Sequence, residues 1–155
     1  MLPSPLRLNR VFIASLSIEA SKDSIETSEV VVEAKPSFAV SKAEPNDWKV
    51  CLSVKFDGPP GSPSSYKGSV EVIGFFTVVS DTSDEKRRLK ALAIGAPSFL
   101  YSTVRETVAF ITGRSLHGVF QLPLLLFSDV DVLPLGKAKA NEPHAGGDKY
   151  RQRRP

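Results

Sequence analysis

Cysteine, histidine and methionine are scarce in this chain, which has one Cys, one Met and two His among 155 residues. A single thiol, Cys51, cannot close an internal disulfide, and His117 and His144 cannot assemble a usual zinc site without carboxylate help. These shortages exclude disulfide scaffolds and zinc ribbons. No segment approaches the roughly 18 consecutive apolar residues of a membrane helix. Residues 1–10 contain no cationic segment leading into an apolar core, so we expect a cytoplasmic protein with no membrane insertion. Metal-ligand spacings, phosphate-cradling glycine loops and nucleophile elbows are also missing, so we expect no enzyme, no cofactor and no metal. Neither histidine lies near a motif that would set a Ser or Cys beside it. Cys51 reads as a tolerated small residue on the polar side of a strand.

The remaining composition fits one globular domain. Apolar residues make up 41% and charged residues 24%, and a chain of this length buries about two thirds of its unfolded surface. The net charge of +3 is unevenly spread. Six of the 20 Lys and Arg but only two of the 17 carboxylates lie beyond residue 136, so the tail carries +4 and the rest −1. The basic character belongs to the tail, which argues against nucleic-acid binding by the folded body. Lys86, Arg87, Arg88 and Lys90 read as a solvated face, since no exposed aromatics interleave them. We expect a domain over residues 1–133 and a disordered basic tail over 134–155.

Hydrophobic periodicity divides the domain in two. Residues 6–79 carry period two. Trp48, Val50, Leu52, Val54 and Phe56 alternate with Lys49, Cys51, Ser53, Lys55 and Asp57, the pattern of a strand with one buried face. Strands are also expected over the first segment, over 29–40, where Pro36 argues for an edge or a bend, and over 66–79. In the first segment Leu8, Phe12, Ala14, Leu16 and Ile18 share one face. Val11 and Ile13 then intrude on the polar side, which hints at a contact with another subunit. Residues 57–65, rich in Gly and Pro, should be a hairpin loop. Residues 21–28 connect strands one and two, and 42–47 close the next hairpin.

After Val79 the period changes to that of helices. Candidate N-caps over 80–85 precede a short helix at 86–92, which Gly95 should end. Pro97 suits the first turn of a longer helix, in which Leu100, Val104, Val108 and Ile111 form a stripe with Phe99, Thr103, Thr107 and Phe110 beside it. That helix should fail at Gly113. Residues 120–127 form an apolar run that Pro123 keeps from being a regular central strand. The adjacent Phe75 and Phe76 must point to opposite sheet faces, so one packs under the helix and its neighbour needs another cover.

Several strings resemble the SecB family of export chaperones. Leu8-Asn9-Arg10-Val11-Phe12 followed by Leu16-Ser17-Ile18-Glu19-Ala20 is similar to that family's first strand, and Gly74-Phe75-Phe76-Thr77-Val78 to the end of its fourth. Pro97-Ser98-Phe99-Leu100-Tyr101 with Val104-Arg105-Glu106 looks like the start of its long helix, and Phe120-Gln121-Leu122-Pro123-Leu124 like the segment after it. The likeness spans residues 6–127. It implies an α+β fold in which a long helix packs on a four-stranded antiparallel sheet, assembled as a homotetramer, a dimer of dimers. It further implies ATP-independent holding of unfolded preproteins in an apolar groove and their transfer to SecA for translocation.

On period and resemblance together, the groove is expected on Phe75, Phe99, Tyr101, Phe120, Leu122 and Phe127. Glu19 and Glu71 are the candidate SecA contacts, although Ser15 stands where the family usually has Asp. Val11, Ile13, Phe76, Val104, Val108 and Ile111 are candidates for an oligomer interface, the last four also for the core. The connection over 21–28 is shorter than the family's, and a proline, glycine and basic stretch replaces the family's C-terminal helix. These departures raise the alternative of a chaperone dedicated to one partner, such as an antitoxin. A different class, a non-chaperone α+β interaction domain or small enzyme, is also open.

Overall fold

The computed structural model describes residues 4–23, 29–79 and 85–128. The tail over 134–155, the boundary at 133, the capping residues 80–84 and part of the first connection lie outside them. Four strands, β1 (Leu6–Ala20), β2 (Val31–Val40), β3 (Asp47–Asp57) and β4 (Tyr66–Val78), precede one helix, α1 (Glu85–Thr112). The sheet is antiparallel with order β1-β4-β3-β2. The expected α+β architecture, a long helix on a four-stranded antiparallel sheet, is the one observed.

Alternation in β3 and β4 produces the core. Val50, Leu52, Val54 and Phe56 on β3, with Val70, Val72, Phe76 and Val78 on β4, are buried to within a few per cent. They face Leu92, Ala96, Leu100, Val104 and Val108 of the helix, which are equally inaccessible. Each such aliphatic side chain contributes roughly 1.5 to 3 kcal/mol through removal from water. Phe76 lies on this inner face and Phe75 on the other, as strand geometry requires. Phe76, Val104 and Val108 therefore belong to the core of the single chain, and Ile111 is half-buried.

One helix replaces the two expected. α1 runs unbroken through Gly95 and Pro97. Pro97 is buried against the core, and apolar burial along the whole stripe outweighs the loss of its one hydrogen bond. Gly95 serves a crossing rather than a stop, because a Cβ there would come within 2.8 Å of the Leu6 side chain.

The faces of β1 also depart from simple alternation. Its pairing with β4 shifts register between Leu8 and Arg10 and again between Ile13 and Ser15. Each shift inserts one residue, Asn9 and then Ala14, and reverses the facing of the residues beyond it. Cross-strand partners share a face, so Leu8 opposite Phe76, Val11 opposite Gly74, Ile13 opposite Val72 and Leu16 opposite Val70 all face the helix side. Phe12, opposite Ile73, turns to the outer face. An unbroken period of two would instead place Phe12 with Leu8 and Leu16, and Val11 and Ile13 opposite them.

The two sheet edges differ. β2 is an edge, as Pro36 suggested, and carries exposed Lys35 and Glu33 joined by an ion pair of 2.6 Å. Proline and charge discourage further strand pairing. β1, the other edge, is 15 residues long, has no proline, and exposes Leu8, Phe12, Ile13 and Leu16 by 37 to 42%.

Gly68 gives the fold a direct test. A Cβ there would collide with the Ser17 main-chain oxygen of the neighbouring strand and come within 2.9 Å of the Phe56 ring. Backbone cannot yield as a flexible side chain does, so Gly68→Ala should lower unfolding free energy by about 1 to 3 kcal/mol. Urea denaturation followed by circular dichroism measures this, and an unchanged midpoint would contradict the close approach of β1 to β4.

Candidate functional site

Beyond α1 the chain reverses and returns along the helix without regular secondary structure. Gly118, with φ of 75°, supplies a backbone conformation that side chains other than glycine rarely adopt. Tyr66, at the start of β4, anchors the reversal. Its hydroxyl accepts the His117 N–H at 2.9 Å and donates to the Gly118 carbonyl at 3.1 Å. The Thr112 hydroxyl donates to the Val108 carbonyl at 2.7 Å and accepts the Phe120 N–H at 2.8 Å. His117 Nε2 donates to the Ser21 carbonyl at 2.7 Å. These contacts give His117 a structural role.

The returning segment, residues 119–128, forms a strap over one flank of α1. Arg105 Nε donates to the Leu122 carbonyl at 2.9 Å, and the Tyr101 hydroxyl donates to the Pro123 carbonyl at 2.7 Å. Burial followed by the opposing effect of Arg105 leaves the Tyr101 pKa above its ordinary value, so it remains a donor. Leu122 is only 1% exposed. Phe120 packs on Phe56 and Tyr66 at 5.9 and 5.5 Å between ring centroids, and Phe127 on Tyr101 at 5.9 Å. Side chains of the helix thus hold an extended main chain through its carbonyl oxygens, while apolar side chains anchor it below.

The six residues expected to line one groove are distributed over three environments. Tyr101 and Leu122 are buried within the chain, and Phe120 and Phe127 are half-buried between strap and core. Phe99 is 43% exposed on the opposite flank of α1, its ring edge-on to Phe76 at 6.3 Å. Phe75 faces outward from the sheet, beside Phe12 at 6.2 Å. The strap accounts for the difference, because it covers the flank on which Tyr101 lies.

Two apolar surfaces remain open on the helix side. Along β1, Leu8, Ile13 and Leu16 are exposed together with Phe99 and Phe110 of the helix. On the strap, Val119, Leu124 and Leu126 are exposed by 63, 78 and 96%. In the sequence Leu8 and Leu16 showed only as members of one strand face, and Leu124 and Leu126 only as part of an apolar run broken by Pro123.

Away from Phe12, Ile73 and Phe75, the outer sheet face is polar with charges of both signs. Glu19 pairs with Lys67 at 3.2 Å. Glu71 lies opposite Ser15 and Ser53 and against the Cys51 thiol. Burial first, then the Glu71 carboxylate, hold the pKa of that thiol above its ordinary value. Lys49 and Lys55 share the face from β3, opposite Phe75 and Ser69. No group of His, Cys, Asp and Glu among the described residues could hold a metal, and no described helix is long and apolar enough to cross a membrane.

Sheet order, the single long helix and the returning segment define a SecB-like fold. The chain is similar to the SecB-like chaperone Rv1957 of Mycobacterium tuberculosis, solved in complex with a ChAD peptide from the Rv1956 HigA1 antitoxin. The TM-score is 0.58 at 16% sequence identity, covering 77% of this chain and 87% of that one. A protein of unknown function from Streptococcus agalactiae matches with a TM-score of 0.43 at 12% identity, covering 77% of this chain and 97% of its own. No protein-family model and no curated protein matches the chain.

The strap's polar attachments should be separable from its apolar ones. Arg105→Ala removes the bond to the Leu122 carbonyl, an interaction of about 1.5 to 3 kcal/mol when the donor is charged. Limited proteolysis within residues 119–128 should then accelerate by about tenfold or more, since cleavage follows local opening. An unchanged rate would mean that Leu122 and Phe120 alone hold the strap.

Proposed function

We propose that this chain is a SecB-like holding chaperone that retains unfolded polypeptides by apolar contact, without catalysis or cofactor. The observation that carries this reading is the quantity of large apolar side chains left open on the helix side of a well-packed domain. Leu126, Leu124, Phe110, Val119 and Phe99 range from 96 to 43% exposed, grouped on the strap and along one helix flank, and clustered exposed apolar side chains mark interaction surfaces. Each large client side chain buried there would contribute roughly 1.5 to 3 kcal/mol before ordering costs. Such contacts read no particular sequence, as a holdase requires.

Self-association fits the same surface. The β1 edge offers unpaired main-chain groups flanked by apolar side chains, and antiparallel pairing with a second copy would satisfy both. Val11 and Ile13 would lie in that contact, with a dimer of dimers as the fuller assembly. A single unpaired Cys51 fits a reducing compartment such as the cytoplasm.

Service to a restricted partner is favoured over general export of preproteins through SecA. The outer face offers a cationic tail little net attraction, because Glu19 is already paired with Lys67 and Lys49 and Lys55 stand on the same side. The SecB-like neighbour that holds an antitoxin peptide lends this dedicated reading support.

The test joins molar mass to client protection. The full chain should run in light scattering at a multiple of its 16.8 kDa mass and suppress aggregation of a chemically denatured client. Ile13→Lys with Leu16→Lys should shift the mass toward the monomer. Leu124→Asp with Leu126→Asp should keep the mass and weaken client retention by about tenfold or more. A folded wild type that gives no protection at several-fold molar excess would refute the chaperone reading.

A further inference from the structure

The outer sheet face carries a second surface, on the side away from helix and strap. Two neighbouring cross-strand rows build it. In one, Phe75 of β4 lies between Arg10 of β1 and Lys49 of β3. In the next, Ile73 lies between Phe12 and Cys51. The Phe12 and Phe75 rings stand 6.2 Å apart, and the Arg10 guanidinium lies 5.7 Å from the centre of the Phe12 ring. Phe12 is 40% exposed. Beside Phe75, at the end of the sheet, a cavity of about 360 Å³ opens, lined by Ala39 and Lys49 of the outer face and by Val40, Trp48 and Phe76 of the inner one.

The charges around this patch have a net sign. Among the described residues neither Arg10 nor Lys49 takes part in an ion pair; the pairs there are Lys35 with Glu33 and Lys67 with Glu19. Asp47 also borders the cavity, where its carboxylate accepts the Thr77 hydroxyl at 2.5 Å and keeps its negative charge, so Arg7, Arg10 and Lys49 exceed Asp47 and Glu71 by one. Glu71 lies two positions along β4, against Cys51. Arg7, in the row of Thr77 and Asp47, donates to Asn9 at 3.2 Å and adds a third cation at this end.

We propose that the surface formed by Arg10, Phe12, Lys49 and Phe75 docks a partner polypeptide whose carboxylates flank a bulky apolar side chain. The apolar side chain enters the cavity against Phe75, and the carboxylates meet Arg10 and Lys49. The Arg10 guanidinium, within cation–π reach of Phe12 and in no ion pair among the described residues, has N–H donors able to receive a carboxylate through two parallel bonds. The sign of the site is the reverse of one built to receive a cationic tail. Arg10, Phe12, Lys49 and Phe75 lie across the sheet from the strap, so a partner held by them and a client held on Leu124 and Leu126 occupy different surfaces.

The test uses the full chain and a fluorescein-labelled peptide of sequence Asp-Asp-Leu-Phe-Asp-Asp, with its Lys-for-Asp counterpart as control, read by fluorescence anisotropy. The acidic peptide should bind at least about tenfold more tightly than the basic one and should weaken as salt is raised. Arg10→Glu and Lys49→Glu, both changes of exposed side chains, should each weaken it by about tenfold. Circular dichroism of these variants should match wild type. Leu124→Asp with Leu126→Asp should leave acidic-peptide binding intact, so loss of client protection and loss of docking are read separately. Equal binding of the two peptides, or indifference to both charge reversals in folded protein, would overturn the proposal. So would displacement of the acidic peptide by a single-stranded oligonucleotide of equal charge at equal concentration, which would mark the patch as a phosphate-binding surface.

Discussion

Seating one helix on a sheet wider than itself is the constraint from which the other features of this molecule derive. A helix with its side chains is about 10 Å across, while four strands at about 4.8 Å spacing span half as much again or more. α1 therefore seals the two central strands and cannot seal the outer two. Burial obeys that geometry, being near complete along β3 and β4 and partial along β1 and β2. One flank of the helix is closed by the strap through Phe120 and Leu122. The other flank, where Phe99 meets Phe76 beside Leu8, has no such cover among the described residues. The open apolar surface is a consequence of the architecture, not an accident of a few residues.

The two register shifts in β1 decide which residues populate the surfaces. Without them a 15-residue strand would present Phe12 to the helix side and Val11 and Ile13 to the outer face. Inserting Asn9 and Ala14 brings Val11 and Ile13 inward beside Leu8 and Leu16, and sends Phe12 outward to meet Phe75. Both the apolar edge toward the helix and the aromatic and cationic patch on the outer face depend on this irregularity. Conversely, β2 keeps an unbroken register, and Pro36 with the Lys35–Glu33 pair makes it an unwelcoming edge. Of the two edges, β1 is the one that Pro36 and the Lys35–Glu33 pair leave open to a further strand.

Much of this architecture can be read along the chain, and the exceptions share a physical origin. β3 was evident because a strand with one buried face must alternate, and nothing interrupts it. Pro36 marked β2 as an edge because a proline cannot donate to a ladder, and the opposed facing of Phe75 and Phe76 follows from the pleat alone. Gly95 misled as an end and Pro97 as a start because those are their local propensities, whereas here burial of Ala96, Pro97 and Leu100 on the inner face of one continuous helix outweighs them. The β1 faces were hidden because a register shift is a property of a pair of strands. Tyr101 and Leu122 looked like an open groove because an irregular strap has no period that would reveal the surface it covers.

The two apolar regions differ in the kind of affinity they can offer. On the strap and the Phe99 flank, retention would come mainly from water excluded by side chains such as Leu124, Leu126 and Phe99, a contribution that salt changes little. On the outer face Arg10, Lys49 and Arg7 surround a small apolar centre, so charge would draw a partner in quickly and select its sign, while the cavity beside Phe75 supplies the smaller dwell time. A holding protein gains from that division. Retention indifferent to sequence suits a client that presents many apolar segments, whereas discrimination by charge suits a partner met repeatedly. Two such surfaces on opposite sides of one four-stranded sheet would let both act without either compromising the chemistry of the other.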